Sequence, residues 1–226
     1  MKIRLVIAWT LNSIALPLSL HAAVADSSAM PPLQSASGPE LELKHPQTDI
    51  WQDGVGNGFK SGSQSLTLAS GTGYGVRILG TKESHDMALA SLSYGYMWGP
   101  VKGAGHWYKG NWELRGELWG AIQFDPSNQW AVGLTPHLRY NFATGTSLVP
   151  YLDVGAGLSA TSIREPDLGQ VFEFNLQAAG GVRWFITHDV ALSLELRLLH
   201  LSDAGMTVPN LGVNNVSGLL GVSWFF

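Results

Sequence analysis

Residues 190–202 read VALSLELRLLHLS, and the alternation inside this stretch decides the fold. Val190, Leu192, Leu194, Leu196 and Leu198 share one face of an extended strand, while Ser193, Glu195 and Arg197 share the other. A period of two with so uniform a leucine face describes a strand set between an apolar and a polar medium. The pattern recurs upstream. Trp112, Leu114, Leu118, Ile122 and Phe124 alternate with Glu113, Arg115, Glu117 and Gln123. Trp130, Val132, Leu134, Leu138, Tyr140 and Phe142 alternate with Gln129, Thr135, His137, Arg139 and Asn141. Leu148, Leu152, Val154 and Leu158 stand against Tyr151, Asp153 and Ser159, and Phe172, Phe174, Leu176, Val182 and Trp184 against Glu173, Asn175, Gln177 and Arg183. Two Gly- and Ser-rich strands are expected near 65–79 and 86–98. A last one ends on GVSWFF, with Leu220, Val222, Trp224 and Phe226 on one face.

Turn signals separate these runs: Asp125-Pro126-Ser127-Asn128, Thr144-Gly145-Thr146, Glu165-Pro166-Asp167 and Thr187-His188-Asp189. Each run is long enough for the ~9–11 residues with which a tilted strand crosses the hydrocarbon. Charged residues are only 13% of the chain, against ~25% in a typical soluble domain. Low charge without a second long apolar run is the composition of a membrane β-barrel, whose apolar residues come at alternate positions. The expected fold is therefore all-β: an eight-stranded antiparallel transmembrane β-barrel of the outer-membrane type over residues 64–226. A soluble sandwich also alternates, but with the polar face outward. Trp98, Trp112, Trp130, Trp184 and Trp224 fall near strand ends on the apolar parity, as interfacial girdles do. A barrel of eight strands is filled by its inward side chains and is not a pore. Inside, Glu113, Glu117, Asp153, Glu173 and Glu195 can be offset by Arg115, Arg139, Arg183 and Arg197, with His137 a further lumen residue.

The amino terminus is expected to be an export signal. Lys2 and Arg4 precede an apolar stretch from Leu5 to Leu20, and Ala23-Val24-Ala25 supplies small-x-small before Asp26. The apolar stretch is shorter than the ~20 residues of a membrane-spanning helix. Residues 1–25 are expected to be a signal peptide and 26–63 a flexible periplasmic lead-in, in which Gly54, Gly56 and Gly58 break any period. The chain has no cysteine, which excludes disulfides and thiolate metal sites. Its net charge is −4 and its basic residues form no run, which argues against nucleic acid as a partner.

His200 and Ser202 continue the leucine face of 190–202, where every preceding position is apolar. Two residues apart on a strand, their Cα atoms lie ~6.8 Å apart on one face. That spacing lets an imidazole nitrogen reach the hydroxyl, the base–nucleophile pairing of an esterase. With both chain termini of the barrel in the periplasm, this strand is expected to run outward, which sets the pair near the outer-leaflet boundary where lipid esters lie. A hairpin symmetric about Thr207 sets Asn214 opposite His200, and parity counted back from Phe226 puts Asn214 on the same lipid face. A third polar group is thereby placed to orient the imidazole.

His200-Leu201-Ser202-Asp203-Ala204-Gly205, followed by Pro209-Asn210-Leu211-Gly212, resembles the H-x-S-N-A-G…P-N-x-G segment of the PagL-type lipid A 3-O-deacylases. The resemblance is sharp over His200 to Asn214 and is one of architecture elsewhere. It implies an outer-membrane serine esterase without metal or cofactor, acting on lipid A of lipopolysaccharide, with Ser202 as nucleophile and His200 as general base. The family's acidic triad member, a glutamate, falls at Asn214, and its asparagine after the serine is Asp203 here. Asp203 and Ala204, through backbone N–H groups, are the candidate oxyanion donors. Implied partners are lipid A, outer-membrane lipid of a Gram-negative cell and the barrel-assembly machinery, with a homodimer left open. The alternative is a family member without activity, serving as a structural or lipid-binding barrel.

Overall fold

A computed structural model describes residues 49–226; the expected signal peptide and the lead-in up to residue 48 lie outside the described residues. Eight strands follow in order: β1 (Gln64–Gly75), β2 (Asp86–Lys102), β3 (Gly110–Asp125), β4 (Gln129–Phe142), β5 (Leu148–Thr161), β6 (Phe172–Phe185), β7 (Val190–Ser202) and β8 (Val213–Phe225). Each pairs antiparallel with its neighbours, and β8 returns to β1 to close the barrel. Closure leaves no strand edge unpaired, a requirement for backbone lying in hydrocarbon. At one end sit both termini of the barrel and the connections 103–109, 143–147 and 186–189. At the other sit 76–85, 126–128, 162–171 and 203–212.

The polarity of the wall is inverted relative to a soluble barrel. Leu194 and Leu196 are 58% and 61% exposed, whereas Glu117 and Arg183 inside are 0% exposed. Trp98, Trp184 and Trp224 ring the terminal end and Trp130 stands near the loop end, all outward. An apolar band with aromatic margins around a polar interior identifies a transmembrane barrel.

The lumen is filled by a charge network. Arg183 donates to Glu113 at 2.9 Å, and Arg197 to Glu117 at 2.9 and 3.0 Å. Asp153 accepts from Arg115 at 2.5 Å and from Arg139 at 2.6 Å. Arg139 also reaches Glu195 at 3.0 Å, and His137 lies between Asp153 and Glu117 at 2.6 and 3.1 Å. Glu173 departs from the expected pairing. Arg115, Arg139 and Arg183 lie toward the terminal end of the lumen and Arg197 near its middle, while Glu173 sits at the loop end of β6, and its carboxylate oxygens have no hydrogen-bond partner among the described residues. Breaking a buried pair costs more than removing it whole. Arg183→Met is therefore expected to destabilise the barrel by about 3–5 kcal/mol, and Arg183→Met with Glu113→Gln by clearly less. Urea unfolding in detergent, followed by tryptophan fluorescence, measures both.

The lead-in, expected to be flexible to residue 63, is packed from Asp49 onward. Trp51 stacks on Phe59 (4.5 Å, 21°), Phe59 on Phe225 (5.1 Å, 7°), and Trp51 meets Phe185 edge-on at 4.6 Å. The Trp51 indole N–H donates to the His188 carbonyl at 2.9 Å. With Met97, Val149 and Ala191 these residues form an apolar cap over the terminal end of the lumen. The glycines that hide the segment from a periodicity test permit its approach: a Cβ on Gly56 (φ +80°) would lie 1.9 Å from the Thr146 carbonyl oxygen. The first strand also stops at Gly75 and not near 79, because Leu79 (φ 56°) and Gly80 (φ 101°) turn the chain back.

Candidate active site

Strand β7 delivers His200 and Ser202 to the outer face of the wall at the loop end, half-buried between β6 and β8. The register sets Ser202 opposite Phe174 and His200 opposite Leu176 on β6, and His200 opposite Asn214 on β8. The symmetric hairpin inferred from sequence is thus the observed one. His200 Nε2 lies 3.0 Å from Ser202 Oγ, and His200 Nδ1 lies 2.7 Å from Asn214 Oδ1. Gly212 (φ +79°) makes room for the ring, since a Cβ there would stand 2.7 Å from His200 Cε1.

Asn214 is held on its far side by loop 76–85. Its amide N–H groups donate to Thr81 Oγ1 at 2.6 Å and to the Ile78 carbonyl at 3.1 Å. Both amide hydrogens are thereby engaged, so Oδ1 faces the imidazole, Nδ1 carries the ring hydrogen, and Nε2 offers its lone pair to Ser202.

The residues after Ser202 form a tight turn, with Ala204 at φ 56° and Gly205 at φ 84°. The Asp203 side chain is buried and caps this turn, accepting N–H groups of Gly205 (2.9 Å), Met206 (3.1 Å) and Thr207 (2.8 Å) and the Thr207 hydroxyl. Burial pushes its pKa up, but the Thr207 hydroxyl and the backbone N–H groups of the turn outweigh that and hold it below the usual carboxylate value. The Asp203 N–H donates to Asn210 Oδ1 at 3.2 Å. In that geometry the Asp203 N–H is engaged by the Asn210 side chain and its carboxylate is turned into the turn. Among the described residues the Ala204 N–H makes no hydrogen bond, and Ala204 borders the same groove as Ser202.

That groove, about 660 Å³, runs down the wall from Ser202 between Leu134, Pro136, Leu158, Phe174 and Leu176. A smaller one of about 250 Å³ flanks His200 and Asn214 on the other side, against Val76, Ile78 and Leu198. A larger depression, about 840 Å³, lies on another sector of the wall and is lined by aliphatic, small and neutral side chains such as Leu68, Ser70, Ala90 and Leu118. Among the described residues it is lined by no titratable group.

The sequence profile of the family described as lipid A 3-O-deacylase (PagL) matches residues 88–223, more than half of the chain. The chain belongs to the PagL family of lipid A 3-O-deacylases. Among solved structures, the outer-membrane enzyme PagL superposes with a TM-score of 0.51 at 19% identity, covering 70% of this chain and 97% of that one. Neisserial surface protein A superposes with a TM-score of 0.55 at 18% identity, covering 74% and 100%. At such identities the likeness establishes the outer-membrane barrel fold and nothing finer. No curated protein matches the chain.

Within this PagL-family barrel, the predicted His200, Ser202 and Asn214 come together and Ala204 adjoins them, while Asp203 turns away. Missed in the sequence were Thr81 and Ile78 of loop 76–85, and Asp167, which fastens that loop. Asp167 is fully buried; its carboxylate accepts the N–H groups of Lys82 (2.7 Å) and Glu83 (2.9 Å) and faces His85 Nε2 at 3.0 Å. No periodic signal marks any of them. Only the odd Leu79-Gly80 turn hints that the loop has a defined shape.

Proposed function

We propose that this barrel is an outer-membrane serine esterase that removes the 3-O-linked acyl chain of lipid A. The observation that carries the proposal is the hydrogen-bonded series Ser202–His200–Asn214, placed on the lipid-facing wall of a PagL-family barrel. A site on the outer wall of the barrel suits an ester whose acyl chain is held in lipid alongside it. The groove below Ser202 offers that chain an apolar channel leading to the hydroxyl.

His200 Nε2 accepts the Ser202 proton as Oγ attacks the acyl carbonyl. The Ala204 N–H is the donor free to meet the developing oxyanion. As the acyl C–O bond to the sugar breaks, Nε2–H protonates the departing sugar oxygen to give its hydroxyl, leaving an acyl-Ser202 ester that water hydrolyses with His200 again as base. Asn214 keeps the imidazole in the tautomer that makes this possible, although it adds no charge to stabilise the imidazolium. Capture by a fluorophosphonate tests the proposal on the purified protein. Peptide mass spectrometry should find the phosphonyl group on Ser202 in wild type and not in His200→Ala; an unlabelled wild type contradicts the assignment.

Gly212→Ala should act on the same unit. A side chain there meets the imidazole and adds about 1–2 kcal/mol of left-handed backbone strain. Ester hydrolysis is expected to fall by about tenfold or more through misplacement of His200, with the barrel still heat-modifiable on gels.

A further inference from the structure

We infer that Thr81 is a positioning residue for this site, fixing which way the Asn214 amide faces and thereby which nitrogen of His200 is the base. The inference rests on the esterase proposal for its consequence in catalysis, but not for its geometry. Thr81 is buried, and its hydroxyl donates to the Gly212 carbonyl at 2.8 Å. With its only hydrogen so committed, Oγ1 can meet Asn214 Nδ2, 2.6 Å away, only as an acceptor. The Ile78 carbonyl, likewise only an acceptor, takes the second amide hydrogen at 3.1 Å and also the Thr81 N–H at 3.1 Å. Two acceptors on one side of the amide leave Oδ1 no choice but to face His200.

This matters because residue 214 is an amide. A carboxylate presents an acceptor to the imidazole whichever way it turns. An amide that flips would point its NH2 at Nδ1, move the ring hydrogen to Nε2, and deprive Ser202 of its base. Thr81 therefore acts only through Asn214. The loop that bears it is tied to the loop after Ser202 by one residue: the Asp167 carboxylate holds Lys82 and Glu83, while the Asp167 carbonyl accepts the N–H groups of Leu211 (2.9 Å) and Gly212 (3.2 Å). Thr81 and Gly212 are thus held in one frame with the hydrogen bond between them.

Thr81→Val and Thr81→Ser in the full-length barrel test this, with lipid A in mixed micelles as substrate and ¹⁵N-histidine NMR as a second readout. Thr81→Val should lower kcat by roughly 10- to 100-fold, part of what a general base contributes, with KM little changed. Thr81→Ser should recover most of that loss. In the spectrum, the His200 resonance, assigned by its disappearance in His200→Gln, should report hydrogen on Nδ1 in wild type and Thr81→Ser and lose that state in Thr81→Val. Should Thr81→Val fail to assemble, Thr81→Ala carries the same expectation. A wild-type tautomer in the valine or alanine variant overturns the inference. An inactive wild type with the tautomer change intact would instead refute the esterase proposal alone.

Discussion

Ser202→Ala is expected to reduce acyl-ester hydrolysis by about four orders of magnitude or more while leaving the barrel folded. Removing the nucleophile of a triad costs nearly as much as removing the whole unit, because the members act together. Ser202 is half-buried at the end of β7, and its hydroxyl bonds only to His200 among the described residues. Its loss therefore frees only the half-buried His200 Nε2 and opens no cavity within the lumen. Release of 3-hydroxy fatty acid from purified lipid A measures the rate, and heat-modifiable mobility on gels reports folding. A Ser202→Ala protein that retains more than a hundredth of the wild-type rate would remove Ser202 from the chemistry.

Asn214→Leu should have the next largest effect, about 10²- to 10⁴-fold on kcat. A triad base held in the wrong tautomer loses up to about 10⁴-fold. Leucine keeps the volume, yet it removes the acceptor for His200 Nδ1 and both donors to loop 76–85. Asn214→Asp is informative beside it. The aspartate restores an acceptor for the imidazole and adds charge, but sets an oxygen against the Ile78 carbonyl, where an N–H had been. Its rate is expected to lie below wild type, because loop 76–85 is built around an amide. Steady-state kinetics on lipid A micelles separates the two variants, and a rate for Asn214→Leu equal to wild type would contradict the role given to Asn214.

Much of this arrangement is legible in the sequence, for definite reasons. Alternation in 112–124, 129–142 and 190–202 reports which side of each strand meets lipid, because the side-chain period of a strand is two and the two media differ sharply. The same period, carried through a short hairpin about Thr207, is sufficient to set Asn214 opposite His200. Alternation is silent where the chain leaves the wall. Trp51 and Phe59 cap the lumen end-on, with Gly56 and Gly58 permitting the contact, so no period marks them. Thr81 and Asp167 act through loops that meet only after the barrel closes, 133 and 85 residues from the partners they hold. The side chain of Asp203 is hidden for a related reason: its place in the motif does not show that local hydrogen bonding turns it into the turn that follows. Glu173 shows that matching charges by count does not place them at the same depth of the lumen.

The central claim is that this barrel deacylates lipid A through Ser202. Expression in a Gram-negative strain whose own lipid A keeps its 3-O-linked chains, followed by mass spectrometry of the extracted lipid A, tests it most directly. The wild-type barrel should produce a new species lighter by one 3-O-linked hydroxyacyl group, absent from cells carrying Ser202→Ala or the empty vector. Identical lipid A from all three, with the wild-type barrel folded in the outer membrane, would contradict the claim and leave a lipid-binding scaffold in place of an enzyme.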